Sequence, residues 1–202
     1  MKPIIETLQS PFYNTQYLFR RKLFSIFGGD IEICNNSGEL VLYSYREKAY
    51  SYSQDFHIYT DERKIREVLT IIVPKKCREG WLFHVKDAAK DMNIGAIKIG
   101  SRPQFTIQED WVFISRDGQE IGKLIESTVT RGLLHRLIRF LPQRYVAVSS
   151  TGKRVAEIRK HFNPLVLKYS LEVVENEPSI DPRLLISAVI ITAVEAKVLI
   201  SP

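Results

Sequence analysis

Between Arg131 and Lys160 the chain sets eight basic residues, Arg131, Arg136, Arg139, Arg144, Lys153, Arg154, Arg159 and Lys160, against one acid, Glu157. That window carries +7 while the whole chain of 202 residues carries +6, so the remainder is close to neutral. Charge concentrated in this way draws anionic partners over a range set by salt. It also serves a plainer purpose, a solvated face that keeps the protein dispersed, and basic strands are common enough to favour that plainer use. Inside the window, GLLHRLIRFL (132–141) has a helical period, with leucines on one face, His135, Arg136 and Arg139 on the other, and Pro142 as a stop. An interfacial helix on acidic lipid has this pattern, as does a connecting helix that packs its leucines onto the domain. Two smaller clusters, Arg20-Arg21-Lys22 and Lys75-Lys76-Cys77-Arg78, read as strand ends.

Other chemistry is thinly represented. No GxSxG elbow, HExxH pair or GxxxxGK[ST] phosphate loop is present. His57, His84, His135 and His161 stand singly, and His57 alternates with Phe56 and Ile58 as a surface-facing strand residue would. Gly28-Gly29-Asp30 is a turn with no helix behind it to hold a phosphate. Cys34 and Cys77 form no CxxC pair, so zinc is not expected, and two reduced thiols suit a cytosolic protein. The acids from Glu172 to Asp181 lack the EF-hand spacing for calcium and suit the approach to a helix N-terminus. No enzyme, cofactor or metal is expected. Aromatics beside basic strands can stack nucleic acid, but the absence of an RRM signature, a helix-turn-helix or a zinc finger argues against that partner.

The elements that must position these residues are hairpins. Three segments share a template of apolar residues six and four positions before a turn residue and three and six after it. Around Glu62 these are Phe56, Ile58, Ile65 and Val68; around Gly118, Val112, Ile114, Ile121 and Leu124; around Gly152, Val146, Val148, Val155 and Ile158. A partial copy surrounds Asp91, with Val85, Ile94 and Ile97, and a looser one runs from Asp30 to Tyr45. Alternation before the turn suits half-buried strands, and Asp117-Gly118 and Thr151-Gly152 tolerate positive φ. The step of three after the turn breaks the period of two, as a bulge or a strand buried on both faces would. The next position is small in three copies (Gly95, Gly122, Ala156), as expected where another backbone approaches closely.

The C-terminus changes character. Asp181-Pro182-Arg183 reads as an N-cap followed by proline at the first helical position. LLISAVIITAVEAKVLI (Leu184 to Ile200) is then apolar nearly all round until Glu195 and Lys197. About 20 apolar residues are needed to span a bilayer, so a buried helix enclosed by the hairpins is the better container. A hydrophobic content of 45% and a charged content of 26% are ordinary for a globular domain. The N-terminus has no continuous apolar run that would read as a secretory signal. The expected compartment is the cytoplasm, with peripheral attachment to a membrane left open.

The repeated form φxφxxxDGxxφGxφ, the closing DPRLLISAVIITAVEA and the opening YLFRRKLFSIFGGDIEICNNSGELVLYSYREKAY (Tyr17 to Tyr50) resemble the LURP-one-related and phospholipid scramblase group, which shares the tubby C-terminal fold. The resemblance runs from about Tyr17 to Ile200. It implies a mainly β (α+β) fold: a closed antiparallel barrel of about twelve strands around a central hydrophobic C-terminal helix. Residues 1–16 would be an N-terminal extension and 17–202 a single domain, its central helix at 182–200. It also implies roles at membranes: phosphoinositide binding as in tubby-like members, or calcium-linked lipid movement as in scramblases. Neither the scramblase leader nor its acidic calcium-associated segment is expected here, the stretch from Glu175 to Asp181 offering only scattered carboxylates, which argues against scrambling. The reading that follows is a non-enzymatic binding or scaffold domain, meeting anionic phospholipid or phosphoinositide through the Arg131 to Lys160 region. The alternatives are a soluble protein-interaction or regulatory module with no lipid role and, behind it, a scramblase.

Overall fold

The computed structural model describes residues 10–22, 30–46, 55–73, 80–100, 111–127, 143–161, 166–175 and 178–198. Twelve strands run in chain order: β1 (Gln16–Lys22), β2 (Ile31–Asn35), β3 (Leu40–Arg46), β4 (Phe56–Tyr59), β5 (Glu67–Ile72), β6 (Gly80–Asp87), β7 (Met92–Gly100), β8 (Trp111–Ser115), β9 (Glu120–Glu126), β10 (Arg144–Ser149), β11 (Arg154–His161) and β12 (Val166–Val173). Each pairs antiparallel with its neighbours in sequence, and β1 pairs with β12, so the sheet closes into a barrel with no free edge. Helix α1 (Pro182–Val198) follows. The expected barrel and central helix are what the structure has.

The hairpins show why the template exists. In β2–β3, β8–β9 and β10–β11 the turn is the same: the Asn35, Ser115 and Ser149 amides donate to the Glu39, Gln119 and Lys153 carbonyls at 2.9, 2.8 and 2.9 Å. Gly38, Gly118 and Gly152 occupy the left-handed position, with φ of +80°, +82° and +85°. Two strands leaving such a turn cannot pair evenly, and all five hairpins joined by described turns carry a bulge. The extra residue is Val41, Val68, Ile94, Ile121 or Val155. The apolar residue three positions after the turn is thus the bulged one, at Ile94, Ile121 and Val155. The small residue after it makes room: a Cβ on Gly95 would lie 2.5 Å from the Ile114 carbonyl oxygen and 3.3 Å from Leu184 Cδ1.

Two details of the template differ. Ile65 is 76% exposed, because it sits in the β4–β5 turn, which is longer than the others, and not on a strand. Val112, Ile114, Val146 and Val148 stay half-buried outside the core, while Trp111, Phe113 and Ala147 fill it. Both phases of these strands are apolar, so alternation alone leaves the inward face ambiguous by one residue.

The barrel is filled by α1. Every side chain from Leu184 to Val194 is buried, and the helix belongs to one continuous core with the inward faces of the strands. Leu184 meets Gly95 on β7, and the Ala193 carbonyl meets Arg21 on β1, six strands away around the closed sheet. Asp181 caps the helix, its Oδ1 accepting the Arg183 amide at 2.9 Å. The two hydroxyls of the helix's buried stretch are satisfied by the helix itself, Ser187 donating to the Arg183 carbonyl and Thr192 to the Ala188 carbonyl. Among the described residues no helix is long and apolar enough to cross a membrane.

Candidate functional site

In β11 the bulge at Val155 resets the alternation, so Ala156, Ile158 and Lys160 face the interior and Glu157, Arg159 and His161 face out. Outside, three arginines of the basic window meet on one carboxylate. Arg144 Nη2 lies 2.7 Å from Glu157 Oε2, and Arg154 and Arg159 also bond to it. Glu157 is 1% exposed beneath them, while the three guanidinium side chains stay about half exposed. The bonds from Arg159 and then Arg144 hold its carboxyl down to about 2. Arg159 is pushed above its ordinary value by the same contact. The lone acid of the window is therefore the hub on which its arginines are organised, and the cluster keeps an excess of positive charge.

The other members of the window go elsewhere. Lys153 pairs with Glu175 Oε1 at 3.1 Å. Lys160 leaves the set: it is 6% exposed and points inward, with its Nζ 3.5 Å from Gln143 Oε1. Odd and even positions of a strand face opposite ways, so Arg159 and Lys160 cannot share a surface. Arg131, Arg136 and Arg139, with the 132–141 segment, lie outside the described residues, as do Lys75 to Arg78 and Gly28-Gly29.

The fold supplies two cations from outside the window. Going round the barrel, His161 is paired with Lys168 on β12, and Lys168 with Arg20 on β1. The adjacent outward row runs Arg144, Arg159, Ser170, Leu18. Arg144, Arg159, Lys168 and Arg20 thus stand on four neighbouring strands in two successive rows of one outer face. Arg20 faces out because Tyr17 and Phe19 are the phase of β1 that fills the core, a choice the all-apolar run Tyr17-Leu18-Phe19 leaves open in the sequence. Reading Arg20-Arg21-Lys22 as one cluster hid the fact that Arg21 turns inward. His161 adds no charge to the face at neutral pH: burial, Lys168 and Arg159 hold it below its ordinary value, and its Nε2 lies 2.9 Å from Ser170 Oγ.

Beside this belt a groove of about 500 Å³ runs over β1 and β12 to the β2–β3 turn. Leu18 and Ser170 form its floor with Arg159 beside them, Arg20 and His161 line one end, and Glu172 lies toward the other. The acids before the helix do not gather. Glu172 faces out on β12, Glu175 holds Lys153, and Asp181 caps α1 and binds Arg183 Nη2 at 2.6 Å. Among the described residues no group of His, Cys, Asp and Glu converges to hold a metal ion. His57 Nδ1 sits 2.9 Å from Glu67 Oε1 on the neighbouring strand, and Cys34 is a buried free thiol.

A family model described as LURP-one-related matches residues 15–193, from just before β1 to well inside α1. Neither a curated protein nor a solved structure matches the chain. Since the match takes in all twelve strands and most of the helix they enclose, the chain belongs to the LURP-one-related family.

Proposed function

We propose that this LURP-one-related barrel is a non-enzymatic binding domain that docks on anionic membrane lipid through the outer face of β10, β11, β12 and β1. The observation that carries the reading is the alignment of Arg144, Arg159, Lys168 and Arg20 across those four strands. Near an anionic bilayer each basic side chain contributes about 1 kcal/mol, falling off within a Debye length. Four on one rigid face are enough for reversible, salt-sensitive attachment. A cytoplasmic, peripheral location goes with this reading. The burial of α1 on all sides from Leu184 to Val194 favours docking over lipid transport, because a stretch sheltered by its own strands has no apolar face to offer a bilayer.

Vesicle co-sedimentation with and without acidic lipid tests it. Recovery is expected only with acidic lipid and is expected to fall with salt. Arg20→Glu with Lys168→Glu should abolish it, and because neither side chain makes an ion pair among the described residues, the variant is expected to fold, which its melting curve checks. Equal, salt-insensitive recovery on neutral and acidic vesicles would end the proposal. One observation favours a protein partner instead: among the described residues, four of the five exposed large apolar side chains, Tyr13, Ile65, Met92 and Val174, lie at the barrel end that carries the short turns, with Ile125 toward the other end. A partner seated there would be indifferent to charge reversal at Arg20 and Lys168.

A further inference from the structure

The groove beside the basic belt carries Arg20 toward one end and Glu172 toward the other, where Glu172 is the register partner of Glu157 on β11. Across the β1–β12 pair, Glu172 faces Gln16, Ser170 faces Leu18 and Lys168 faces Arg20, giving three successive outward rows about 7 Å apart. Arg159 joins the middle row from β11. Glu172 is near enough for its charge to be felt at Arg159, yet it makes no ion pair among the described residues. Glu157 is already taken by three arginines and has no capacity left for a ligand.

We propose that this groove takes a phosphate ester bearing a primary ammonium two carbons away, the chemistry of serine- and ethanolamine-type headgroups. The phosphate lies toward Arg20 and Arg159 and the ammonium toward Glu172. The inference rests on the lipid reading above and sharpens it from charge to headgroup. Phosphate and ammonium in such a group are closer together than two rows of the sheet, so binding requires the long Arg and Glu side chains to reach inward along the groove. The small floor of Leu18 and Ser170 leaves depth for the linking carbons, and a volume of about 500 Å³ accommodates the headgroup. A quaternary ammonium is recognised chiefly by aromatic faces. The aromatic in this wall, Tyr17, is 2% exposed and gives its hydroxyl to the Pro11 carbonyl at 2.9 Å, so choline has no cage here. A primary ammonium needs hydrogen-bond acceptors, and Glu172 and the Gln16 amide supply them.

Phosphatidylserine and phosphatidylglycerol carry the same net charge but differ in the ammonium and the carboxylate that balances it, so vesicles of the two separate headgroup reading from plain electrostatics, and soluble phosphoethanolamine isolates the ammonium. The protein is expected to bind phosphatidylserine vesicles about threefold more tightly, the scale of one exposed ion pair. Glu172→Gln raises the positive charge, and charge alone would then strengthen binding to both lipids and preserve their ratio. The proposal requires the ratio to fall to one, with the variant's melting curve unchanged. Equal binding of the wild-type protein to both lipids, salt-sensitive and lost in the Arg20→Glu, Lys168→Glu variant, would overturn the headgroup inference while leaving the basic face in place. Binding to neither would overturn both. Soluble O-phosphoethanolamine titrated against isotope-labelled protein separates the two sources of this chemistry. Shifts at Leu18 and Ser170 that phosphocholine does not cause place a free phosphate ester in the groove; a phosphatidylserine preference without them places the headgroup there within a bilayer.

Discussion

Arg21 of β1 donates from Nη1 to the Ala193 carbonyl of α1 at 2.9 Å, joining the first strand of the barrel to the last turns of the helix inside it. The helix C-terminal end carries the negative end of the peptide dipoles, so a cation suits the place. The cost is also visible. Burial, and then the nearby Arg46, lower the pKa of Arg21. Arg21→Met keeps the length and removes the donor. Its expected effect is a loss of about 1–2 kcal/mol, the worth of a charge-assisted bond less the desolvation it relieves. Urea denaturation measures it, and a variant as stable as the wild type would show that packing alone retains α1.

Gly118 and Gly122 make opposite demands only four positions apart. Gly118 has φ +82° and open space around it, so Gly118→Ala meets backbone strain alone and should cost about 1 kcal/mol. A Cβ at Gly122 would come within 2.6 Å of the Val148 carbonyl oxygen and 2.8 Å of Ile180 Cδ1. Backbone cannot yield as a flexible side chain can, and Gly122→Ala should cost about 1–3 kcal/mol through overpacking. Paired melting curves decide it; equal losses would mean that the close approach of β10 is not what Gly122 serves.

How much of this was readable in the chain follows from what each signal depends on. The turn at Gly118 and the bulge at Ile121 are local demands of one hairpin, and Gly122 answers the next strand from the position just past that bulge, so all three leave a mark at constant spacing. The cap at Asp181 and the proline at 182 are equally local. The face of a strand is not: Trp111, Val112, Phe113 and Ile114 are all apolar, and only packing against α1 decides which two are inside. The candidate site suffered most. A run of charge along the sequence ignores both strand phase and strand neighbours, so Lys160 counted toward a surface it does not reach. Lys168 went unnoticed and Arg20 was read only as part of a strand end, because closure of β1 on β12 is what brings them beside Arg159.

Arg183 anchors the start of the helix from two sides. Its Nη1 lies 2.7 Å from Asp87 Oδ2 on β6, and its other nitrogens hold Asp181, which caps the same helix. Both members of the Arg183–Asp87 pair are shielded, at 23% and 11% side-chain exposure, so the attraction is less screened than at an open surface. A double-mutant cycle with Arg183→Gln and Asp87→Asn should return a coupling of about 1–2 kcal/mol. A coupling near zero would mean that the two ends are held by apolar packing and that the charges only tolerate each other.

Acid should loosen the outer face at Glu157. A carboxyl whose folded pKa is about 2, against an ordinary value of 4.5, favours the folded state at every pH above 4.5. That contribution declines as pH falls below 4.5 and is gone below about 2, where the carboxyl is protonated in both states. Once Glu157 is neutral, Arg144, Arg154 and Arg159 crowd one another with no anion between them. Glu157→Gln imposes that condition at every pH. The variant should therefore melt lower than the wild type near neutrality, and the gap between the two should close as pH drops from 4.5 toward 2. Melting temperatures across that interval provide the check: a gap that stays constant with pH would show that the amide disturbs packing and that the charge of Glu157 does not hold the three arginines.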